Sequence, residues 1–328
     1  MSESLVSSVP VIETRGLVKR YDGELAVAGI DLTVAAGEIY GLVGPNGAGK
    51  TTTMRILATL LAPTAGEARV CGIDVTADPI EVRRRIGYMP DFYGVYDDLR
   101  VWEYLDFFAR CYSVAPARRA SMIGELLAIV GLSDKRDAYV EALSRGMRQR
   151  LCLAHTLVHD PALLILDEPA SGLDPRARVE LREILRELRG MGKTILISSH
   201  ILPELGELCT SVGIIDHGRL LRSGTIAEIE RSLEATAILR IDLLSDPDAA
   251  ASWLGTDARV GDVLRVDGEA VHGIRLEVPF SGSPDEQAGL LRTMVEAGHV
   301  VSGFSQATTD LEEIFLKVTG KSEEESAA

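Results

Sequence analysis

Cysteine is scarce in this 328-residue sequence: Cys71, Cys111, Cys152 and Cys209 stand far apart and form no C-x-x-C pair. That spacing argues against a disulfide framework and a thiolate zinc site, and predicts reduced thiols in a cytoplasm. Long apolar runs are lacking as well. No stretch approaches the roughly 18 apolar residues that a membrane-spanning helix requires, so any role at a membrane has to pass through a partner chain. The opening residues Met1-Ser2-Glu3-Ser4-Leu5 lack the basic start and apolar run of a secretory signal. Positive charge is outnumbered, with 34 Lys and Arg against 49 Asp and Glu and a formal net charge of -15. Such a surface repels phosphate backbones and anionic lipid heads, and no nucleic-acid partner is expected. It does not exclude a nucleotide pocket, which needs only local dipoles and one or two cations.

The remaining composition is that of a globular chain, 46% hydrophobic and 25% charged. Residues 10–232 alternate buried-strand runs with helical patterns, as a mainly parallel α/β sheet requires. Ile39-Tyr40-Gly41-Leu42-Val43, Ala162-Leu163-Leu164-Ile165-Leu166 and Thr194-Ile195-Leu196-Ile197-Ser198 are the strand candidates, each ending in a polar cluster. Ligands of open α/β sheets sit beyond such carboxyl ends. Between them, residues of about 95–158 read as helical: Trp102, Leu105, Phe108 and Ala109 share one face, and Ile123, Leu126, Leu127 and Val130 another. From residue 235 to 320 the pattern becomes a small α+β domain. Leu239, Ile241 and Leu243 alternate with polar neighbours, as do residues 273–278. Ser283-Pro284-Asp285-Glu286 starts a helix that Gly298 ends, and Thr309-Asp310-Leu311-Glu312 repeats the capping-box logic before Ile314, Phe315 and Val318. Residues 321–328 read as a disordered acidic tail.

Gly44-Pro45-Asn46-Gly47-Ala48-Gly49-Lys50-Thr51 matches G-x-x-x-x-G-K-[ST] in full. It follows a strand candidate and precedes the helical run Thr52 to Leu61, the context this phosphate-binding loop requires. Its glycines let backbone N–H groups curl round the phosphates of ATP, and the following helix points its positive end at them. Lys50 supplies a point charge and the Thr51 hydroxyl is placed to ligate Mg²⁺.

A second set of residues lies at the next strand end. Leu163-Leu164-Ile165-Leu166-Asp167-Glu168 is an apolar strand closing on two acids, and burying carboxylates there is costly unless a cation offsets them. Mg²⁺ fits that need, with Asp167 as its acid and Glu168 as the general base for an attacking water. His200 ends the neighbouring apolar strand. A lone His in such a place is more often structural, but beside the Asp167 strand it can face the terminal phosphate.

With these motifs in place the chain resembles the ATP-binding subunit of an ATP-binding cassette, or ABC, transporter. Leu143-Ser144-Arg145-Gly146-Met147-Arg148-Gln149 resembles the family's signature L-S-G-G-Q, and Ala170-Ser171-Gly172-Leu173-Asp174 its D-loop. The resemblance implies a P-loop NTPase core with a mainly parallel sheet, an antiparallel β subdomain and a helical signature subdomain. It places Tyr21 against the adenine, and Val27 and Thr52 among the nucleotide contacts with residues 44–51. It also implies a head-to-tail dimer, of two copies or with a paralogue. Each ATP is then held between the phosphate loop of one chain and Ser144 and Gly146 of the other. Hydrolysis would power a separate integral membrane permease at the cytoplasmic face of the membrane.

Two positions depart from the family pattern: Arg145 stands where the signature has Gly, and Asp91 stands where a Gln usually follows Pro90. Asp91 could still meet Mg²⁺ through water. Nine of the sixteen aromatics lie between Tyr88 and Tyr112, beside the groove where the family docks its permease; Trp102 and Phe108 are expected inside, and Phe92, Tyr93 and Tyr96 nearer the groove. The C-terminal domain resembles the accessory domain of drug and polysaccharide exporters, which favours export. Two rivals remain at this level. One is a non-transport ABC ATPase acting on DNA or ribosomes, which a single cassette and a -15 charge disfavour. The other is a regulatory nucleotide-binding module, which Glu168 and His200 disfavour.

Overall fold

In the computed structural model, residues 10–92, 94–201, 205–233, 237–244, 246–266 and 274–306 are described. They form two compact units, one running to Ile226 and one beginning at Ala227. The unit boundary falls at the start of a helix, Ile226–Leu233, six residues before the end at 232 that the sequence pattern gives the first domain.

The first unit has two sheets. Strands β1 (Ile12–Tyr21), β2 (Glu24–Val34), β4 (Ala65–Val70) and β5 (Ile73–Asp74) form an antiparallel sheet of order β2-β1-β4-β5. The second sheet contains β3 (Ile39–Val43), β6 (Ile86–Met89), β7 (Leu163–Leu166), β8 (Thr194–Ser199), β9 (Ser211–Asp216) and β10 (Arg219–Thr225), in the order β10-β9-β3-β8-β7-β6. Its pairings are parallel except for the β9–β10 hairpin. Strands β3, β7 and β8 are buried at every residue, which is why they are apolar on both faces instead of alternating. One core joins the inward residues of the antiparallel sheet, such as Ile12, Leu17 and Ile30, to Met54 and Ile56 of helix α1 (Lys50–Leu57) and to Leu42, Ile165 and Leu196 of the main sheet.

Helix α1 starts two residues earlier than the sequence pattern indicates and ends four earlier. Thr59 takes a left-handed φ of 60°, and the Leu60 N–H turns back to the Arg55 carbonyl, closing the helix before Leu61. Helix α2 (Pro79–Arg85) precedes β6, and α3 (Val101–Cys111), α4 (Pro116–Ile129) and α5 (Arg145–Thr156) fill the stretch between β6 and β7. Tyr104, not Trp102, is the wholly buried aromatic of α3; Trp102 and Phe108 are half-buried, and Phe92 is 91% exposed. Tyr93 lies outside the described residues. Helix α6 (Pro175–Gly190) buries Leu181, Ile184, Leu185 and Leu188, a helical stripe packed toward the sheet.

The second unit contains α7 (Ile226–Leu233, from its second residue), β11 (Ala237–Leu243), α8 (Pro247–Leu254), β12 (Leu264–Val266), β13 (Ile274–Phe280), α9 (Pro284–Glu296) and β14 (Val301–Gln306). From β11 onward the element order is βαββαβ, with an antiparallel sheet of order β12-β13-β11-β14, the split arrangement of ferredoxin-like domains. Leu239, Ile241 and Leu243 pack with Leu276, Val278, Leu290 and Met294. Ser283 and Glu286 form the capping box that the sequence predicts for α9. The second capping box, at Thr309, and the acidic tail lie outside the described residues.

Candidate functional site

The parallel register decides which residues meet. Val43 lies opposite Ser199 and Leu166 opposite Ile197, so the loop after β3 and the acids after β7 emerge on either side of the end of β8. All three strand ends therefore open at one edge of the sheet.

The loop after β3 curls into the first turn of α1. Gly49 precedes the helix at φ 104°, and a Cβ there would lie 2.4 Å from the Ala26 carbonyl oxygen, so the position admits only glycine. The Gly218 N–H donates to the Ala48 carbonyl at 3.0 Å, bracing the loop from the β9–β10 turn. Lys50 is buried, and its Nζ donates to the carbonyls of Gly44 at 2.6 Å and Pro45 at 3.1 Å. Asn46 and Gly47 at the loop tip are exposed, and Thr51 and Thr52 are half-buried.

Asp167 is 1% exposed. Its Oδ1 accepts from the Ser198 hydroxyl at 2.7 Å, while its Oδ2 is buried without a hydrogen-bond partner. Burial pushes its carboxyl above the usual range; the Ser198 hydrogen bond and the nearby Thr51 hydroxyl pull it back, and the charge of Asp91 pushes it further up. Asp91 itself is exposed. Glu168 adopts a left-handed φ of 48°, rare for a residue with a side chain. Its N–H donates to Ser198 Oγ at 2.8 Å and its carbonyl accepts from the Ser171 N–H at 3.0 Å. The Glu168 carboxylate pairs with Lys50 Nζ at 3.3 Å through Oε1 and with His200 Nδ1 at 2.9 Å through Oε2. The main sheet thus brings Lys50, Asp167, Glu168 and His200 together. Ser198, which bridges the two acids, has no role in the sequence reading. Its signal was available: it is a hydroxyl near the end of the strand beside the acidic one.

Residues 27–171 match the ABC transporter family. The daunorubicin/doxorubicin resistance ATP-binding protein DrrA of Streptomyces peucetius is 41% identical over 94% of this chain and 92% of its own length. The chain belongs to the ABC transporter family of ATP-binding subunits. The Nod factor export ATP-binding protein I of Ralstonia nicotianae is 34% identical over 96% of each. Among solved structures, an ATP-binding subunit of an ABC transporter superposes with a TM-score of 0.62 at 30% identity, covering 68% of this chain and 93% of that one. The chain is accordingly a nucleotide-binding ATPase that works with a membrane permease. Among its described residues no helix is long and apolar enough to cross a membrane.

The other expected residues of this ABC ATPase are placed as follows. Tyr21 ends β1 and is 43% exposed, with the Lys19 ammonium 5.3 Å from its ring centre. Val27 lies in β2, whose residues Ile30, Leu32 and Val34 alternate inward; a register shift in the pairing with β1 between Ile30 and Ala28 brings Val27 to the inward side too, wholly buried in the core. Ser144 is exposed and caps α5, accepting from the Met147 N–H at 3.3 Å. Asp174 caps α6 in the same way through the Ala177 N–H at 2.8 Å. The two helix starts meet at Gly146 and Ala177, and a cavity of about 470 Å³ opens beside them. Its lining comes from residues 144–150 and 172–180, with nothing from the phosphate loop of the same chain.

Proposed function

We propose that this subunit hydrolyses Mg²⁺-ATP at a site shared between two copies, and that the turnover drives an export permease from the cytoplasmic face of the membrane. The observation that carries the reading is the position of Glu168, in contact with both Lys50 and His200 at the end of β7. In this reading Lys50 and the N–H groups of residues 44–51 hold the phosphates, and Tyr21 stacks on the base. Glu168 accepts the proton of the attacking water, and His200 orients that carboxylate and reaches the terminal phosphate. Ser144 and Gly146 face the nucleotide of the other copy. The exposure of Ser144, and a neighbouring cavity that the chain's own phosphate loop does not line, support that division.

The residues present fit a magnesium ion. Asp167 Oδ2 is buried with no hydrogen-bond partner among the described residues, and the Thr51 hydroxyl acts on the same carboxyl group, a hard-oxygen set of the kind Mg²⁺ takes. Among the described residues no cluster of three His, Cys, Asp or Glu side chains could hold a metal alone, so phosphate oxygens would complete the shell. The ion supplies charge neutralisation at the phosphates; Asp167 and Thr51 would hold it, and Asp91 would act on it through Asp167 or a water. Export is supported by the names of the two relatives, a daunorubicin/doxorubicin resistance ATP-binding protein and a Nod factor export ATP-binding protein.

The test compares ATP turnover of the full chain with that of Glu168→Gln. Loss of the general base should slow hydrolysis by roughly 10²–10⁴-fold, while ATP-bound dimers accumulate on gel filtration. Equal rates would remove Glu168 from its role.

A further inference from the structure

We infer that Arg145 is a positioning residue for hydrolysis: it fastens the start of α5 to the loop that carries Gly172, and through that loop to the backbone of Glu168. The inference rests on the two-copy reading above. With it, nucleotide of the other copy closing on Ser144 sets the general base of the same chain.

Three observations lead there. First, the Arg145 Nη2 donates to the Ser171 carbonyl at 3.2 Å, and the Ser171 N–H donates to the Glu168 carbonyl at 3.0 Å. Arg145 is thus two hydrogen bonds from the backbone of a residue held at φ 48°, a conformation that persists only where its surroundings enforce it. Second, the guanidinium covers Gly172 so closely that a Cβ there would lie 2.5 Å from Arg145 Cζ and Nη2. Glycine is also what the backbone requires, since Gly172 sits at φ 66°. A flat, delocalised fork can lie over a peptide and hydrogen-bond at its rim; an ammonium cannot do both. Third, Arg145 is poorly placed for helix stability. It is the first residue of α5, at the positive end of the helix, where a cation is unfavourable. That end is already capped by Ser144, and the hydrogen-bond partner of Arg145 is a neutral carbonyl outside the helix. The contact accounts for an arginine at a signature position where the strict pattern has glycine.

The experiment measures kcat and KM for ATP, and nucleotide binding by a fluorescent ATP analogue, on the full chain. Arg145→Gly should bind nucleotide as the wild type does, keep KM within about two-fold and lose about ten-fold in kcat. Arg145→Lys should regain part of that rate, since its single ammonium reaches the Ser171 carbonyl without covering Gly172. Wild-type kcat in Arg145→Gly, a loss that appears in KM or nucleotide binding instead of kcat, or no recovery in Arg145→Lys, would overturn the inference. Ser144→Arg, measured alongside, separates the two readings. If it turns over at the wild-type rate, the shared site itself is wrong. If it is inactive while Arg145→Gly runs at full speed, only the role of Arg145 is lost.

Discussion

Lys50 and Glu168 hold each other across the main sheet, Nζ to Oε1 at 3.3 Å, with both side chains largely buried. The remaining contacts of that ammonium are the Gly44 and Pro45 carbonyls. Phosphate therefore competes with a carboxylate for Lys50, and neutralising the two partners should have opposite effects on binding. Glu168→Gln should bind ATP a few-fold more tightly, and Lys50→Met at least about ten-fold more weakly. Equilibrium titration of both variants checks this; weaker binding by Glu168→Gln would show that the pair does not oppose nucleotide.

Ser198 should matter for both stability and rate. It is 1% exposed, donates to Asp167 Oδ1 at 2.7 Å and accepts from the Glu168 N–H at 2.8 Å. Ser198→Ala leaves a part-buried N–H and a buried carboxylate oxygen without that partner, which should cost about 1–3 kcal/mol. Urea unfolding measures the loss, and kcat should fall as Glu168 is freed from its left-handed conformation. An unfolding midpoint equal to that of the wild type would contradict the bridge.

Two glycines of the phosphate loop should respond differently to alanine. Gly49→Ala places a Cβ 2.4 Å from the Ala26 carbonyl oxygen in addition to straining a backbone at φ 104°. Gly47→Ala strains φ 86° but meets nothing within 4 Å. The first should lose roughly 2–4 kcal/mol and the second about 1–2 kcal/mol in thermal or urea unfolding. Equal losses would mean that the Ala26 contact relaxes without cost.

Acid should weaken the helical region through His155. The imidazole stacks on Phe108 with ring centres 4.1 Å apart, and its Nδ1 is buried without a partner. Burial, with a smaller contribution from neighbouring His159, lowers its pKa to about 4. The unfolded chain then binds the proton first, so the neutral buried ring is favourable above about pH 6.5 and stability falls as pH drops toward about 4. Between pH 7.5 and 5.0 the wild type should lose about 2 kcal/mol more than His155→Phe, which keeps the stack without the titration. Parallel unfolding curves for the two proteins over that range would refute it.

Sequence alone determined what is local. The phosphate loop was legible because eight consecutive residues fix its turn and its lysine. Strands β3, β7 and β8 were legible because burial on both faces leaves them apolar along most of their length, and the start of α9 because Ser283 and Glu286 cap it within one turn. The tertiary structure decided everything that depends on which strand lies beside which. The order β3-β8-β7 carries Ser198 between the phosphate loop and the acids and brings Lys50 to Glu168. A register shift in β2 turns Val27 into the core, and the meeting of two helix starts lays Arg145 over Gly172. Such contacts join residues whose separation along the chain carries no periodic signal. They arise only when burial of the apolar strands fixes the sheet order.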